Sequence, residues 1–314
     1  MKKRNIGTLS VPPLAFGGNV FGWTVDKKAS YRLLDTLSDA GLNFIDTADV
    51  YSTWVRGNEG GESETIIGKW LKSTNKRNQT IIATKVGSPM GTGKKGLSGK
   101  YIMQAVEDSL KRLQTDHIDL YQSHRDDEAT PMEETLEAYT TLIKQGKVKV
   151  IGASNFTAAR LEKALEVSKT HTLASYRCLQ PEYNLFDRAG FEENLEGVCL
   201  KNGISVISYY SLASGFLSGK YRSEADFNKS VRGSNMKKYL NERGFRILKT
   251  LDEVSEKYNA TPTQVSLAWL IARPSITAPI VSATTPEQLQ DLIKATTLLL
   301  DANTIEVLDK ASSY

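Results

Sequence analysis

The feature that most constrains this chain is a β-prone run followed by a helical pattern, repeated eight times. Short apolar runs fall at 14–17, 43–46, 81–85, 118–123, 148–151, 177–180, 205–209 and 279–282. Helical patterns occupy 28–40, 62–72, 99–114, 131–145, 157–169, 188–201, 241–258 with 262–272, and 286–295. Parallel strands need a long crossover, usually a helix, so this alternation predicts an α/β fold of the (β/α)8 TIM barrel type. The punctuation agrees. Thr130-Pro131 and Thr261-Pro262 open helices, and Gly41, Gly146 and Gly203 stand between a helix end and the next strand. A doubly wound open sheet would need an early Gly-rich dinucleotide turn, and Gly17-Gly18 with Gly22 does not match G-x-G-x-x-G. The opening KRNIGTLSVPPL reads as an N-terminal β-hairpin that plugs the bottom of the barrel, and 302–312 as one extra C-terminal helix. No Pro/Ser-rich linker divides the 314 residues, so the expectation is a single domain over 1–314.

Composition narrows the class. Hydrophobic content of 40% and charged content of 24% suit a soluble globular enzyme, and a net charge of +4 from interspersed residues does not point to nucleic acid. The run KWLKSTNKR at 69–77 reads as the solvated end of a helix. Cys178 and Cys199 have no metal-binding spacing and read as small buried hydrophobes in a reducing compartment. The basic start MKKR is not followed by the apolar core of a signal peptide, and no run of about 18 apolar residues occurs, so the cytoplasm is the expected location and no membrane partner is expected. The sequence GTGKKG in 86–98 misses the phosphate-loop pattern, because Lys95 stands where Ser or Thr belongs. The long segments 86–98 and 213–240 follow the third and seventh strands, on the side where barrels place functional loops.

Four residues stand at or just beyond the carboxyl ends of successive strands: Asp46 and Tyr51 in FIDTADVYS, Lys85 in IIATK, and His124 in IDLYQSH. A phenol has an ordinary pKa of about 10 and needs a nearby cation to release a proton near neutrality; Lys85 supplies it, and Asp46 balances Lys85. His124 adds a donor toward the same oxygen. Together they polarise a C=O and protonate the forming alkoxide. No side chain supplies a hydride, so a nicotinamide is implied. Taken singly, each residue has a plainer reading: Asp46 as a turn or cap, Tyr51 as a loop aromatic, Lys85 and His124 as rim residues.

In these contexts the chain resembles the aldo-keto reductase superfamily. The likeness runs through GGNVFGW, FIDTADVYS, GESETIIGKWL, ATKVG, SLKRLQTDHIDLYQSHRDD, GKVKVIGASNF, QPEYNLFDR, SGFLSGKYR and TPTQVSLAWLIARPSITAPIVSATTPEQL, which together cover essentially the whole sequence. The resemblance implies a (β/α)8 barrel that reduces aldehydes or ketones with NADPH and without a metal. It casts Tyr51 as general acid, Asp46 and Lys85 as its tuning pair, and His124 as the donor that orients the substrate oxygen.

The same resemblance implies a cofactor site. Ser154, Asn155 and Gln180 match carboxamide contacts, and Tyr209 matches the ring that stacks on the nicotinamide. Leu212, Ser214, Gly215, Leu217, Ser218 and Lys220 match a pyrophosphate-holding loop that Arg232 is expected to join. Ser282, Thr284, Gln288 and Asp291 match the adenosine end. No Arg or Lys lies within 282–292, so alongside NADP(H), implied by the resemblance, NAD(H) is a serious alternative. Leu292 replaces an Asn that often contacts adenine. Trp23 and Trp54 are candidate walls of a substrate pocket. Arg125 follows His124 where Trp-Pro is frequent; it either pairs at the rim with Asp126 or Asp127, or faces an acidic or polyhydroxylated substrate. The partner expected is a small carbonyl compound, with the protein a monomer or weak homo-oligomer. The competing reading is a cofactor-sensing subunit with little turnover. A metal-dependent hydrolase is a third, disfavoured because of His117, His124 and His171 only one falls at a strand end.

Overall fold

The computed structural model describes residues 2–91 and 93–314; Met1, in the basic start, and Thr92, in the loop after the third barrel strand, lie outside the described residues. The chain opens with an antiparallel hairpin, β1 (Arg4–Ile6) and β2 (Leu9–Val11). Eight strands then form one parallel sheet in the order β10, β3, β4, β5, β6, β7, β8, β9. They are β3 (Ala15–Gly17), β4 (Phe44–Asp46), β5 (Ile81–Val86), β6 (Ile118–Ser123), β7 (Val148–Ser154), β8 (Cys178–Gln180), β9 (Ser205–Val206) and β10 (Ile280–Val281). The two ends of the sheet meet through backbone hydrogen bonds from Thr277 N to Val206 O (2.7 Å) and from Ile280 N to Ser208 O (2.8 Å). Every strand expected from the sequence is present, and the (β/α)8 fold stands.

Alternation of side chains along each strand builds two separate cores. Inward residues Ala15, Phe44, Ala83, Leu120, Val150, Cys178, Ile207 and Ile280 fill the barrel. Ile6, Leu9 and Val11 of the hairpin join that cluster, so the hairpin plugs the barrel as expected. Outward residues such as Phe16, Ile45, Ile82, Tyr121, Ile151 and Leu179 pack beneath the helices. Both cysteines are free and buried. Two positions beyond Phe44, Ala83, Leu120, Val150 and Cys178 come Asp46, Lys85, Gln122, Gly152 and Gln180, an inward layer that changes from apolar to polar at the carboxyl end.

The crossover helices are α1 (Lys27–Asp39), α2 (Glu62–Thr74), α3 (Gly99–Leu113), α4 (Met132–Lys144) and α5 (Ala158–Thr170). Side chains cap many helix starts: Asp26, Ser98, Thr157, Thr261 and Thr285 each accept a backbone N–H three residues on. Each cap is worth about 1 kcal/mol. The helix expected over 188–201 is two pieces, α6 (Ala189–Glu192) and α7 (Glu196–Asn202). Gly190, Asn194 and Gly197 are poor helix formers spaced through it, and the chain breaks between them. Helices α8 (Glu242–Tyr258), α9 (Pro262–Ala272), α10 (Pro286–Ala295) and α11 (Ala302–Ala311) complete the fold, the last being the expected C-terminal helix. The segment 213–240 is not featureless: it holds three short 3-10 turns, Ala213–Ser218, Glu224–Lys229 and Gly233–Tyr239. Among the described residues, no helix is long and apolar enough to cross a membrane.

Candidate active site

The polar layer at the carboxyl end of the barrel converges on Lys85. Its Nζ donates to Asp46 Oδ2 at 2.7 Å, to the Thr47 carbonyl at 2.8 Å and to Tyr51 Oη at 3.1 Å. An ammonium has three donors, so all three are committed. Lys85 is 0% and Asp46 2% exposed, which makes this a fully desolvated ion pair. The other oxygen of Asp46, Oδ1, accepts from Gln180 Nε2 at 2.9 Å and Gln122 Nε2 at 3.3 Å. A buried carboxylate that accepts three hydrogen bonds across its two oxygens is held in one orientation, and it holds Lys85 in turn. Burial opposes the ammonium, but Asp46 and Tyr51 outweigh it and keep Lys85 above its ordinary pKa.

Tyr51 follows β4 on a turn that returns its ring over the barrel mouth. The phenol's pKa lies above the ordinary value: burial raises it more than Lys85 lowers it. The expected net lowering by Lys85 does not occur, because desolvation of the phenolate is the larger effect. The ring faces His124 at 6.0 Å between centroids and Trp54 at 5.7 Å, and Trp54 meets Trp23 edge-on at 5.6 Å. His124 is neutral: burial first, then Lys85 and Arg125, hold its pKa well below the usual imidazole value. Its Nδ1 is buried without a hydrogen-bond partner among the described residues.

Several of the remaining expected site residues form one hydrogen-bonded set beside this centre. Asn155 donates to the His124 carbonyl at 2.9 Å and to Ser154 Oγ at 3.1 Å, and accepts from Tyr209 Oη at 2.9 Å. Ser154 Oγ donates to the Gln180 carbonyl at 2.9 Å. Strands β7, β8 and β9 thus present one connected set of amide and hydroxyl groups beside the Tyr209 ring. After β9 the backbone takes left-handed conformations at Tyr210, Ala213, Ser214 and Gly215 (φ +53°, +48°, +57° and +103°). Strained backbone of this kind concentrates at ligand-holding loops. A Cβ on Gly215 would meet Lys220 Cε at 3.2 Å and Nζ at 3.4 Å, so the glycine lets the ammonium fold over the loop. Leu217 is buried beneath it, Leu212 and Ser218 are half-buried, and Ser218 Oγ donates to the Gly215 carbonyl at 2.7 Å.

Several other expected residues have protein contacts of their own. The guanidinium of Arg232 sits 5.1 Å over the Trp23 ring. Arg125 pairs with neither neighbouring acid. Asp126 is taken by Arg160 at 2.6 and 2.8 Å, and Asp127 by Leu97 N–H and Thr130 Oγ, each at 2.7 Å. Ser282 Oγ is spent on the Gly17 carbonyl (2.7 Å) and Asn19 (2.8 Å). Gln288 Oε1 accepts from Thr284 N and Oγ1, and Asp291 from Gln264. Leu292 is buried in the core.

Two buried polar residues near this layer escaped the sequence reading. Gln122 lies two residues before His124, hence on the same face of β6, and strand alternation alone marks it. Asp49, inside FIDTADVYS, is 1% exposed with both carboxyl oxygens unpartnered. Burial first, then Glu64, raise its pKa to about 8.

A dinucleotide fits these residues. The amides at the ends of β7 and β8 suit a neutral carboxamide, the Tyr209 ring suits a flat heterocycle, and the Gly215–Lys220 loop offers backbone and an ammonium to a pyrophosphate. Fold and site together define a barrel oxidoreductase. The chain belongs to the aldo/keto reductase family, whose model matches residues 13–313. It is 35% identical to the "Uncharacterized oxidoreductase YrpG" of Bacillus subtilis (strain 168), over 96% of this chain and 92% of that protein. It is 33% identical to "Aldo-keto reductase YhdN" of the same organism (90% and 82% covered) and 32% to a "Probable voltage-gated potassium channel subunit beta" of Arabidopsis thaliana (99% and 95%). The family supports nicotinamide-dependent oxidoreductase activity in general.

Proposed function

We propose that this protein, acting as one domain, reduces a small aldehyde or ketone to the alcohol with a reduced nicotinamide dinucleotide, Tyr51 being the proton donor. The observation that carries this reading is the commitment of Lys85: two of its donors are spent on Asp46 and the Thr47 carbonyl, and the third is aimed at Tyr51 Oη. When bound, the reduced nicotinamide supplies the hydride that the carbonyl carbon receives. Tyr51 passes its hydroxyl proton to the carbonyl oxygen as the C=O π bond breaks. The phenolate left behind lies beside the Lys85 ammonium, which stabilises it until water returns a proton. The raised pKa of the resting phenol fits an acid that releases its proton only to the far more basic alkoxide. His124, uncharged, donates a hydrogen bond that fixes the oxygen without competing as an acid.

Ser154, Asn155 and Gln180 would orient the carboxamide, Tyr209 would stack on the ring, and the 212–220 loop with Lys220 would hold the pyrophosphate. NADP(H) follows from family resemblance. NAD(H) is favoured by the lack of cations within 282–292 and by the prior engagement of Ser282 and Gln288. The test is a turnover screen of carbonyl compounds with NADPH and NADH in parallel, for wild type and Tyr51→Phe. Multiple turnovers that fall by about 10²–10⁴-fold in Tyr51→Phe, with cofactor binding retained, are expected. Near wild-type reduction by the variant would refute the assignment. The name of the Arabidopsis relative supports a second reading, a cofactor-sensing subunit; oxidation of a single equivalent of cofactor without further turnover would favour it.

A further inference from the structure

We propose that the substrate is a short carbonyl compound bearing an oxyanion, a carboxylate or a phosphate, gripped by Arg125; this rests on the reductase reading above. Four cations near the carboxyl end of the barrel already have contacts of their own. Arg160 is locked bidentately to Asp126, and Lys238 lies 3.9 Å from both Glu182 and Asp187. Lys220 covers the Gly215 loop, on the side that suits a pyrophosphate, and Arg232 stacks on Trp23. Arg125 is exposed, and among the described residues its guanidinium makes no ion pair and no hydrogen bond. The acids beside it in sequence do not claim it: Asp126 and Asp127 are bound as described, and the exposed Glu128 forms no ion pair.

Position decides which ligand Arg125 serves. The expected dinucleotide contacts come from the ends of β7, β8, β9 and β10. Arg125 follows β6, next to His124. Burial first, then Lys85 and Arg125, lower the His124 pKa. Consecutive Cα atoms are about 3.8 Å apart, so the His124 and Arg125 side chains spring from neighbouring points on the rim. A guanidinium presents paired donors that match the two oxygens of a carboxylate or phosphate. Trp54, half exposed at 48%, and Trp23 offer apolar surface for the carbon chain between the two ends. A substrate with one polar end and one reactive end matches this mouth better than an apolar aldehyde does.

The test uses matched pairs, succinic semialdehyde against butyraldehyde and glycolaldehyde phosphate against glycolaldehyde, with wild type, Arg125→Gln and Arg125→Lys. Wild type is expected to favour the anionic member by about tenfold or more in kcat/KM, through KM, as a charge-assisted hydrogen bond allows. Arg125→Gln brings that ratio toward one, and Arg125→Lys restores part of it. Which pair shows the larger ratio separates carboxylate from phosphate. In parallel, quenching of tryptophan fluorescence is titrated with succinate, which reads binding without turnover; saturation in wild type and its loss in Arg125→Gln are expected. Turnover of the neutral aldehydes with a ratio indifferent to Arg125 overturns the anion site and leaves the reductase reading standing. Arg125-dependent succinate binding without reduction of any aldehyde does the reverse.

Discussion

Asn in place of Asp49 should remove a pH-dependent weakness from the fold. The carboxyl is 1% exposed, and among the described residues neither oxygen has a hydrogen-bond partner. Burial and Glu64 raise its pKa from 3.8 to about 8, while Val50 N–H, Arg112 and Lys85 oppose the rise without reaching it at hydrogen-bond geometry. In the unfolded chain the group ionises near its ordinary value, about 4. Between that value and about 8, folding must take up a proton at Asp49. Stability from this group is therefore complete below the unfolded pKa and is lost as pH rises through the folded one. The slope is roughly 1.4 kcal/mol per pH unit, and the total over the window is on the order of 5 kcal/mol. Asn has similar shape and does not titrate. Urea unfolding of both proteins at unit steps from about pH 5 to about pH 8 should show the variant gaining on wild type by about 1.4 kcal/mol per step. A gap that stays constant across the window would mean that Asp49 is ionised in the fold and has a partner the geometry does not show.

The other predictions concern the same polar layer and the packing behind it. Lys85→Met should cost about 3–5 kcal/mol in chemical denaturation, because Asp46 is left as an uncompensated buried charge, and should raise the Tyr51 pKa further in ultraviolet titration. Installing Arg at Thr284 should raise the NADPH-to-NADH affinity ratio; an unchanged ratio would place recognition of the 2′ group elsewhere, for instance on the 213–240 segment. Gly68→Ala should destabilise by about 1–3 kcal/mol or more, since the new Cβ would lie 2.2 Å from the Arg112 carbonyl and 2.6 Å from Leu113 C, where α2 crosses the end of α3. Thermal unfolding of that variant at an unchanged midpoint would mean the two helices can separate freely.

Much of this site could be read before any fold was known, because a barrel converts strand ends into one place. Asp46, Lys85 and His124 each close an apolar run, and parallel strands bring such ends to the same rim. Ser154 and Gln180 were legible for the same reason. Gln122 was readable in principle from the two-residue period of β6 and was missed because a glutamine in a strand carries no catalytic signature. The 213–240 segment was not readable. Its 3-10 turns and left-handed residues depend on local contacts rather than on periodicity, and the same is true of where Arg232 swings. The break in the 188–201 helix lay within reach, since Gly190, Asn194 and Gly197 announce it.

Local chemistry along the chain determined the strand and helix order, the plug, and the set of acid, base and amide groups at the barrel's carboxyl end. Those follow from side-chain periodicity and turn residues, which act over a few positions. Only the tertiary structure decided the proton affinities and the spare charges. Tyr51 is raised rather than lowered because desolvation of its hydroxyl exceeds the pull of Lys85. Among the described residues Arg125 is left without a partner, and Arg160, 35 positions further on, takes Asp126. Both outcomes depend on groups distant in sequence, whose competition for water and for one another begins only when the barrel closes.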